Sequence, residues 1–181
     1  MIHFIFAVLM VFSLVMLVWV YSTVIGIVRG RGVPYVPLGK RQLSYVAANV
    51  KLNKDDRVID LGCGDGRVLR LFEKMGVREV VGYEVNFWAW LKGVITNKLK
   101  KSKVKLYFKN FNKINISEYN VVYVFLLGSY LKRLKVKLEK ELKKGSKVIS
   151  FGFEVEGWEP IKVIHPNDKN QKLDRIFIYQ I

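Results

Sequence analysis

Hydrophobic and polar positions divide the chain into two unequal parts. Residues 1–28 contain no Lys, Arg, Asp or Glu, and Phe4–Val28 is nearly all Val, Leu, Ile, Phe and Met, with Ser13, Ser22 and Thr23 as mild interruptions. A helix of that run reaches roughly 37 Å, enough to cross the hydrocarbon core of a bilayer with some tilt. Trp19 and Tyr21 lie near its far end, where amphipathic rings favour the membrane–water interface. The pattern predicts a transmembrane anchor over residues 1–28, with residues 4–28 as its contact with the lipid bilayer. The competing reading, a cleaved signal peptide, needs a basic n-region, a shorter apolar core and a small-residue cleavage site, and the segment has none of them. Arg29, Arg31, Lys40 and Arg41 follow the run and no Lys or Arg precedes it. The positive-inside rule then places the N-terminus outside and the remaining chain in the cytoplasm.

Beyond the run the periodicity changes. Residues 29–38 hold two glycines and two prolines and read as a linker; residues 39–181 read as one domain. Helices are predicted over 40–50, 66–75, 87–100 and 129–144, the last with Leu131, Leu134, Leu138 and Leu142 on one stripe and Gly145 ending it. Strands are predicted over 57–61, 79–83, 104–108 and 148–151, with two more near 161–164 and 174–180. Val121–Leu127 is seven apolar residues in a row, as in a central parallel strand covered on both faces. The succession predicts an α/β fold with a doubly wound sheet, ending in an antiparallel hairpin.

Composition sharpens this in three ways. At 181 residues and 51% hydrophobic, the chain is neither disordered nor low-complexity. One cysteine, Cys63, excludes a disulfide framework, and His3 and His165 lie too far apart to suggest a metal-ligand pattern. The net charge of +16 is concentrated: residues 92–147 carry 16 Lys and Arg against three acids. That density reads as a solvated face, as an attraction to anionic lipid, or as a nucleic-acid surface. The anchor favours lipid, and no nucleic acid is expected as a partner.

The candidate chemistry lies at Val58-Ile59-Asp60-Leu61-Gly62-Cys63-Gly64-Asp65-Gly66-Arg67. A β-branched strand enters a glycine turn that opens a helix. The spacing is G-x-G-x-G, not the G-x-G-x-x-G of a dinucleotide fingerprint, and no Gly-Lys-Ser/Thr follows as in a P-loop. Asp60 and Asp65 beside the turn would repel a pyrophosphate but attract an ammonium group. S-adenosylmethionine carries an amino group and a sulfonium and no phosphate. Glu84 ends the next strand, where a carboxylate can accept hydrogen bonds from ribose hydroxyls, two at once for a cis-diol.

These residues resemble the class I S-adenosylmethionine-dependent methyltransferases, through DLGCGDG and the acid ending the second strand. The chain is more similar still to a membrane-anchored branch, the protein-lysine methyltransferases of the ATP synthase c-subunit and adenine nucleotide translocase type and their small prokaryotic relatives. The shared pieces are Pro34-Tyr35-Val36-Pro37, DLGCGDGR at 60–67, Gly82-Tyr83-Glu84-x-Asn86-x-Trp88 and Gly157-Trp158-Glu159-Pro160. The resemblance implies a seven-stranded Rossmann-like methyltransferase sheet. It implies that Asp60, Gly62, Gly64 and Asp65 hold the methionine moiety, Gly66 also binds the cofactor, Glu84 holds the ribose, and Asn110 the adenine edge, where relatives often have an acid. Phe87 departs from the proline that relatives often carry. Leu126-Leu127-Gly128-Ser129-Tyr130 is not the Asn/Asp-Pro-Pro-Tyr motif of base-amine methylation.

Methyl transfer from a sulfonium needs alignment, exclusion of water and loss of a proton from the amine. Asn86, Trp88 and Tyr130 are the candidates for the acceptor side, since aromatic rings hold an alkylammonium by cation–π contact. Trp88, Leu91 and Ile95 also form an ordinary helix stripe, and so read equally as core. The expected acceptor is a lysine of a protein at the membrane. A small-molecule or lipid acceptor, or a binding module without activity, remains open from sequence.

Overall fold

The computed structural model describes residues 1–29, 35–166 and 174–181. Helix α1 (Ile2–Arg29) precedes α2 (Lys40–Asn49), β1 (Arg57–Leu61), α3 (Arg67–Lys74), β2 (Glu79–Glu84), α4 (Phe87–Lys100) and β3 (Lys105–Phe108). A 3₁₀ turn at Phe111–Lys113 leads to β4 (Val121–Val124), α5 (Gly128–Glu141), β5 (Lys147–Phe151), β6 (Lys162–Ile164) and β7 (Ile176–Gln180). The seven strands form one sheet in the order β3-β2-β1-β4-β5-β7-β6. The first five run parallel, β7 lies antiparallel to β5, and β6 lies antiparallel to β7. This is the predicted doubly wound α/β sheet with its terminal hairpin.

Both faces are covered, which is why the central strands are continuous apolar runs. Phe72, Val46 and Leu69 pack under α2 and α3 with Val58, Tyr123 and Phe151. On the other face Leu131, Leu134 and Leu138 of α5 pack on Ile59, Val122 and Val148. Chain order runs outward from β1 to β3 and then returns to β4. The turns after β1 and β4 therefore diverge and leave a crevice at their C-terminal ends.

Two boundaries differ from expectation. The predicted strand Val121–Leu127 pairs only as far as Val124; Phe125, Leu126 and Leu127 leave the sheet and line the crevice, so their apolarity serves a cleft wall. Helix α5 ends at Glu141, and Gly145 takes φ +87° in the turn entering β5, where its N–H donates to Ile181 O at 2.7 Å. Gly145 is thus a turn residue rather than the helix cap.

Of the predicted linker, residues 30–34, including Pro34 of the shared motif, lie outside the described residues. Tyr35–Leu38 packs on the domain, with Leu38 buried. Helix α1 stands away from the domain: the apolar window within Ile2–Ser22 is 0% buried. It meets α4 through a hydrogen bond from Trp88 Nε1 to Ser22 Oγ.

Candidate active site

The crevice is lined by the glycine turn, by Glu84 and Asn86 after β2, by Phe125–Leu127 and Tyr130 after β4, by Phe153 after β5, and by Tyr35–Leu38 across its front. It is partly open to solvent, and its lining is mostly apolar with a few convergent polar side chains, as ligand sites usually are.

The turn is built by backbone geometry. Gly62, Gly64 and Gly66 adopt φ of +91°, +56° and +72°, a region that side chains bearing Cβ rarely enter. A Cβ on Gly64 would lie 2.5 Å from the Tyr35 ring. The N–H groups of Gly62 and Cys63 donate to Tyr83 O at 2.9 and 3.1 Å, which ties the turn to β2. Glu84 completes the tie. Its Oε2 accepts from Gly64 N at 2.7 Å, and its Oε1 accepts from Val85 N and Asn86 N, both at 2.7 Å. Burial pushes the Glu84 carboxyl up and the three N–H groups oppose that shift. Three of roughly four acceptor positions are already used. The expected double acceptance from a cis-diol therefore becomes a single free position on Oε2, unless a backbone bond is given up.

The two aspartates of the turn differ. Asp60 is buried at the end of β1, and burial together with the Glu84 charge pushes its carboxyl well above the usual range. The Tyr123 hydroxyl, buried on the neighbouring strand, lines the same crevice and finds no hydrogen-bond partner among the described residues. Asp65 is already satisfied. Arg67 Nε and Nη2 donate to its two oxygens at 2.9 and 2.6 Å, and Lys92 Nζ lies 3.6 Å away. Although burial raises it, the Arg67, Arg70 and Lys92 cations outweigh this and hold its carboxyl below the usual range. Of the two acids expected to attract an ammonium group, Asp60 makes no ion pair among the described residues, whereas Asp65 organises Arg67, whose Nη1 also holds Leu38 O at 2.6 Å.

Three further expectations change. Gly66 does not line the crevice; it opens α3, and a Cβ there would meet Leu106 and Arg70. Asn110 does not line it either, because its side-chain oxygen accepts from Asn112 N at 2.9 Å and caps the 3₁₀ turn; its neighbour Phe111 supplies the wall instead. Trp88 points to Ser22 and away from the crevice. Asn86 and Tyr130 do reach it. Asn86 caps α4 by accepting from Ala89 N at 3.0 Å, which leaves its amide N–H pair to offer. The Tyr130 hydroxyl accepts from Asn112 Nδ2 at 2.7 Å and keeps its own proton to donate. The Gly157-Trp158-Glu159-Pro160 motif lies on the far side, where Trp158 Nε1 donates to Glu139 at 2.8 Å and its ring packs on Tyr179.

Tyr35, Tyr123, Phe125 and Phe153 had no site assignment from sequence. Tyr123, Phe125 and Phe153 could have been found by their place at or just beyond the C-terminal ends of β4 and β5, where ligands of open α/β sheets bind. Cys63 is buried within the turn, and burial with the nearby carboxylates pushes its thiol well up, the opposite of a nucleophile.

The residues fit S-adenosylmethionine. A partnerless tyrosine hydroxyl and a buried acid suit a ligand bearing an amino group, the remaining Glu84 position suits a ribose hydroxyl, and Phe111, Phe125, Leu126 and Phe153 suit an apolar ring. Arg67, the cation of the lining, is engaged by Asp65 and Leu38, which leaves little to bind a pyrophosphate.

The family model described as the ANTKMT methyltransferase domain matches residues 60–162. A protein-lysine N-methyltransferase of Saccharolobus islandicus (strain REY15A) is 38% identical over 153 residues, covering 82% of this chain and 94% of the relative. An adenine nucleotide translocase lysine N-methyltransferase of Mus musculus is 31% identical over 157 residues, and the chain spans 63% of its length. Among solved structures, an RNA methyltransferase from Salinibacter ruber in complex with S-adenosyl-L-homocysteine aligns at 27% identity and a TM-score of 0.71, covering 81% of this chain and 94% of that one.

Proposed function

The chain belongs to the ANTKMT methyltransferase family and is an S-adenosylmethionine-dependent methyltransferase; from that premise we propose that it is membrane-anchored and methylates lysine side chains of proteins at the membrane. One observation carries the membrane part. Ser22, near the domain-proximal end of the apolar run, holds Trp88, two residues from Asn86 at the crevice. The lysine part draws on the relatives named as lysine methyltransferases in an archaeon and a mouse.

Bound in the crevice, S-adenosylmethionine supplies a methyl group already activated on sulfur. Asp60 and Tyr123 hold its amino-acid end, and Glu84 a ribose hydroxyl. Asn86 and Tyr130 orient the acceptor nitrogen with an amide N–H and a hydroxyl. The rings of Tyr35, Tyr130 and Phe153 exclude water and favour an alkylammonium by cation–π attraction. The acceptor reacts as the free amine: its nitrogen would form the bond to the methyl carbon as the carbon–sulfur bond breaks and the thioether leaves. The methylated ammonium then gives its proton to solvent at the mouth. The tether raises the local concentration of membrane-borne acceptors over free ones. By the positive-inside rule, the domain faces the cytoplasm.

The test is incubation of the full chain with methyl-labelled cofactor and membranes of its host. The expected label sits in protein, is released by protease, and runs as methyl-lysine after hydrolysis. Label confined to an organic-soluble lipid fraction, or released by nuclease, would overturn the lysine reading.

A further inference from the structure

Four aromatic rings gather where α4 begins. Phe87 meets Trp88 and Phe108 edge-on at centroid distances of 5.3 and 5.7 Å, and Trp90 tilts against Phe87 and Phe108 at 5.9 and 5.5 Å. Trp88 and Trp90 are half-buried. Phe87 and Phe108 remain 37% and 40% exposed. The cluster lies along the β3 edge of the sheet, and the described residues cover it only in part, with Ser22 of α1 against Trp88. The outward stripe of α4 continues it through Ile95 and Leu99, which are 51% and 79% exposed.

The surroundings are basic. Between Val85 and Ser117 there are eight lysines and no Asp or Glu. Lys92 pairs with Asp65, but Lys98, Lys100, Lys101 and Lys109 make no ion pair among the described residues. Partly exposed aromatic rings beside unpaired lysines match a surface that lies in the bilayer interface, rings at the headgroup–acyl boundary and ammonium groups on anionic headgroups.

Continuity with the anchor selects this occupant over a second copy or another protein. Trp88 of the cluster is the residue that holds Ser22, in the last third of the apolar run Phe4–Val28. The rings therefore lie beside the domain-proximal end of the apolar run, the level of the membrane–water interface on the anchor reading. Tryptophan and tyrosine gather at that level in spanning proteins.

We propose that the β3–α4 edge, through Phe87, Trp88, Trp90 and Phe108 and the neighbouring lysines, docks on the bilayer that holds α1. The inference rests on the anchor reading above and deepens it, since it fixes which edge of the domain faces the lipid. Asn86 precedes Phe87 and lines the crevice, so the docked edge brings the crevice mouth to the membrane surface.

The test uses the full chain reconstituted in vesicles containing a lipid with a nitroxide high on its acyl chain. An environment-sensitive fluorophore is placed on Lys109→Cys, beside the rings, or on Lys162→Cys, on β6 at the opposite edge. Six strand spacings separate those edges, about 29 Å. Cys63 is buried, and the unsubstituted chain labelled in parallel sets the background; both substituted lysines are exposed, and retained S-adenosylmethionine binding checks the fold. The label at 109 is expected to be quenched at least about twofold more than that at 162, with the difference growing when anionic phosphatidylglycerol is added. Equal quenching at the two sites in chains that float with the vesicles overturns the docking surface and leaves the anchor standing. Chains that do not float overturn both.

Discussion

Glu84 and Gly64 are joined across the crevice by a 2.7 Å hydrogen bond from the Gly64 N–H to Glu84 Oε2. With the two bonds to Val85 and Asn86, this makes Glu84 a structural clasp for the glycine turn as well as a cofactor ligand. Bonds to a charged acceptor contribute roughly 1.5–3 kcal/mol each. Glu84→Ala is therefore expected to weaken S-adenosylmethionine binding at least about tenfold and to lower unfolding free energy by about 2 kcal/mol or more. Calorimetry and denaturant unfolding read the two effects. Unchanged stability with weakened binding would show that the clasp contributes nothing to the fold.

Asp60 and Asp65, five residues apart, are expected to respond oppositely to pH. Asp60 is raised in the folded protein, so before the ligand binds it holds its proton above the ordinary carboxylate range near pH 4. An ammonium ligand favours the carboxylate. Binding therefore releases a proton in that window, and affinity falls as pH falls, by up to about tenfold per unit. Asp60→Asn should flatten this dependence, measured by calorimetry in buffers of different ionisation heat. Asp65 is lowered in the folded protein. Its contribution to stability is present above the unfolded carboxylate range and is lost as pH falls towards its folded value. Arg67→Met should flatten that acid limb in denaturant unfolding.

The glycine turn was legible because its signal is local: three glycines after a β-branched strand demand positive φ, and the structure has it at all three. The direction of α4 was not. Its most apolar stripe, Trp88, Leu91 and Ile95, suggested either core or substrate wall. The buried stripe is instead Ala89, Gly93 and Asn97. Small residues win that face because α4 lies so close to the turn that a Cβ on Gly93 would sit 2.9 Å from Asp65 O. Hydrophobicity reports what avoids water, but on α4 close approach to the turn, not hydrophobicity, selects the buried face, and Ile95 is left 51% exposed. Asn110 was hard to read for a related reason: an Asn at a turn is held by a nearby backbone N–H, here that of Asn112, and no sequence spacing distinguishes that from a ligand contact.

Tyr35 covers the turn, and its distance from Gly64 makes the pair testable. Gly64→Ala combines a left-handed backbone with a Cβ 2.5 Å from the Tyr35 ring, and is expected to cost about 1–3 kcal/mol. Removing the ring relieves only the second part. The double variant with Tyr35→Ala should therefore be less destabilised than the sum of the two singles, by about 0.5 kcal/mol or more. Denaturant unfolding of the four proteins in the cycle measures the difference, and strict additivity would mean that the ring moves aside freely.

Tyr130 tests the division of the crevice between cofactor and acceptor. It begins α5, its ring stands edge-on to Phe111 at 5.8 Å, and its hydroxyl accepts from Asn112. Tyr130→Phe keeps the ring and removes a hydrogen-bonding group that the cofactor residues Asp60 and Glu84 do not contact. If the hydroxyl orients the acceptor nitrogen, kcat/KM for a lysine acceptor falls about tenfold, the loss of one oriented hydrogen bond, while S-adenosylmethionine affinity stays within about twofold of the original. A variant that loses cofactor affinity and activity in equal measure would instead move Tyr130 to the cofactor wall. The remaining hydroxyl-free ring should still favour an alkylammonium through its face. The loss should therefore appear mainly in kcat, because the ring keeps the acceptor bound after the hydroxyl no longer aligns it.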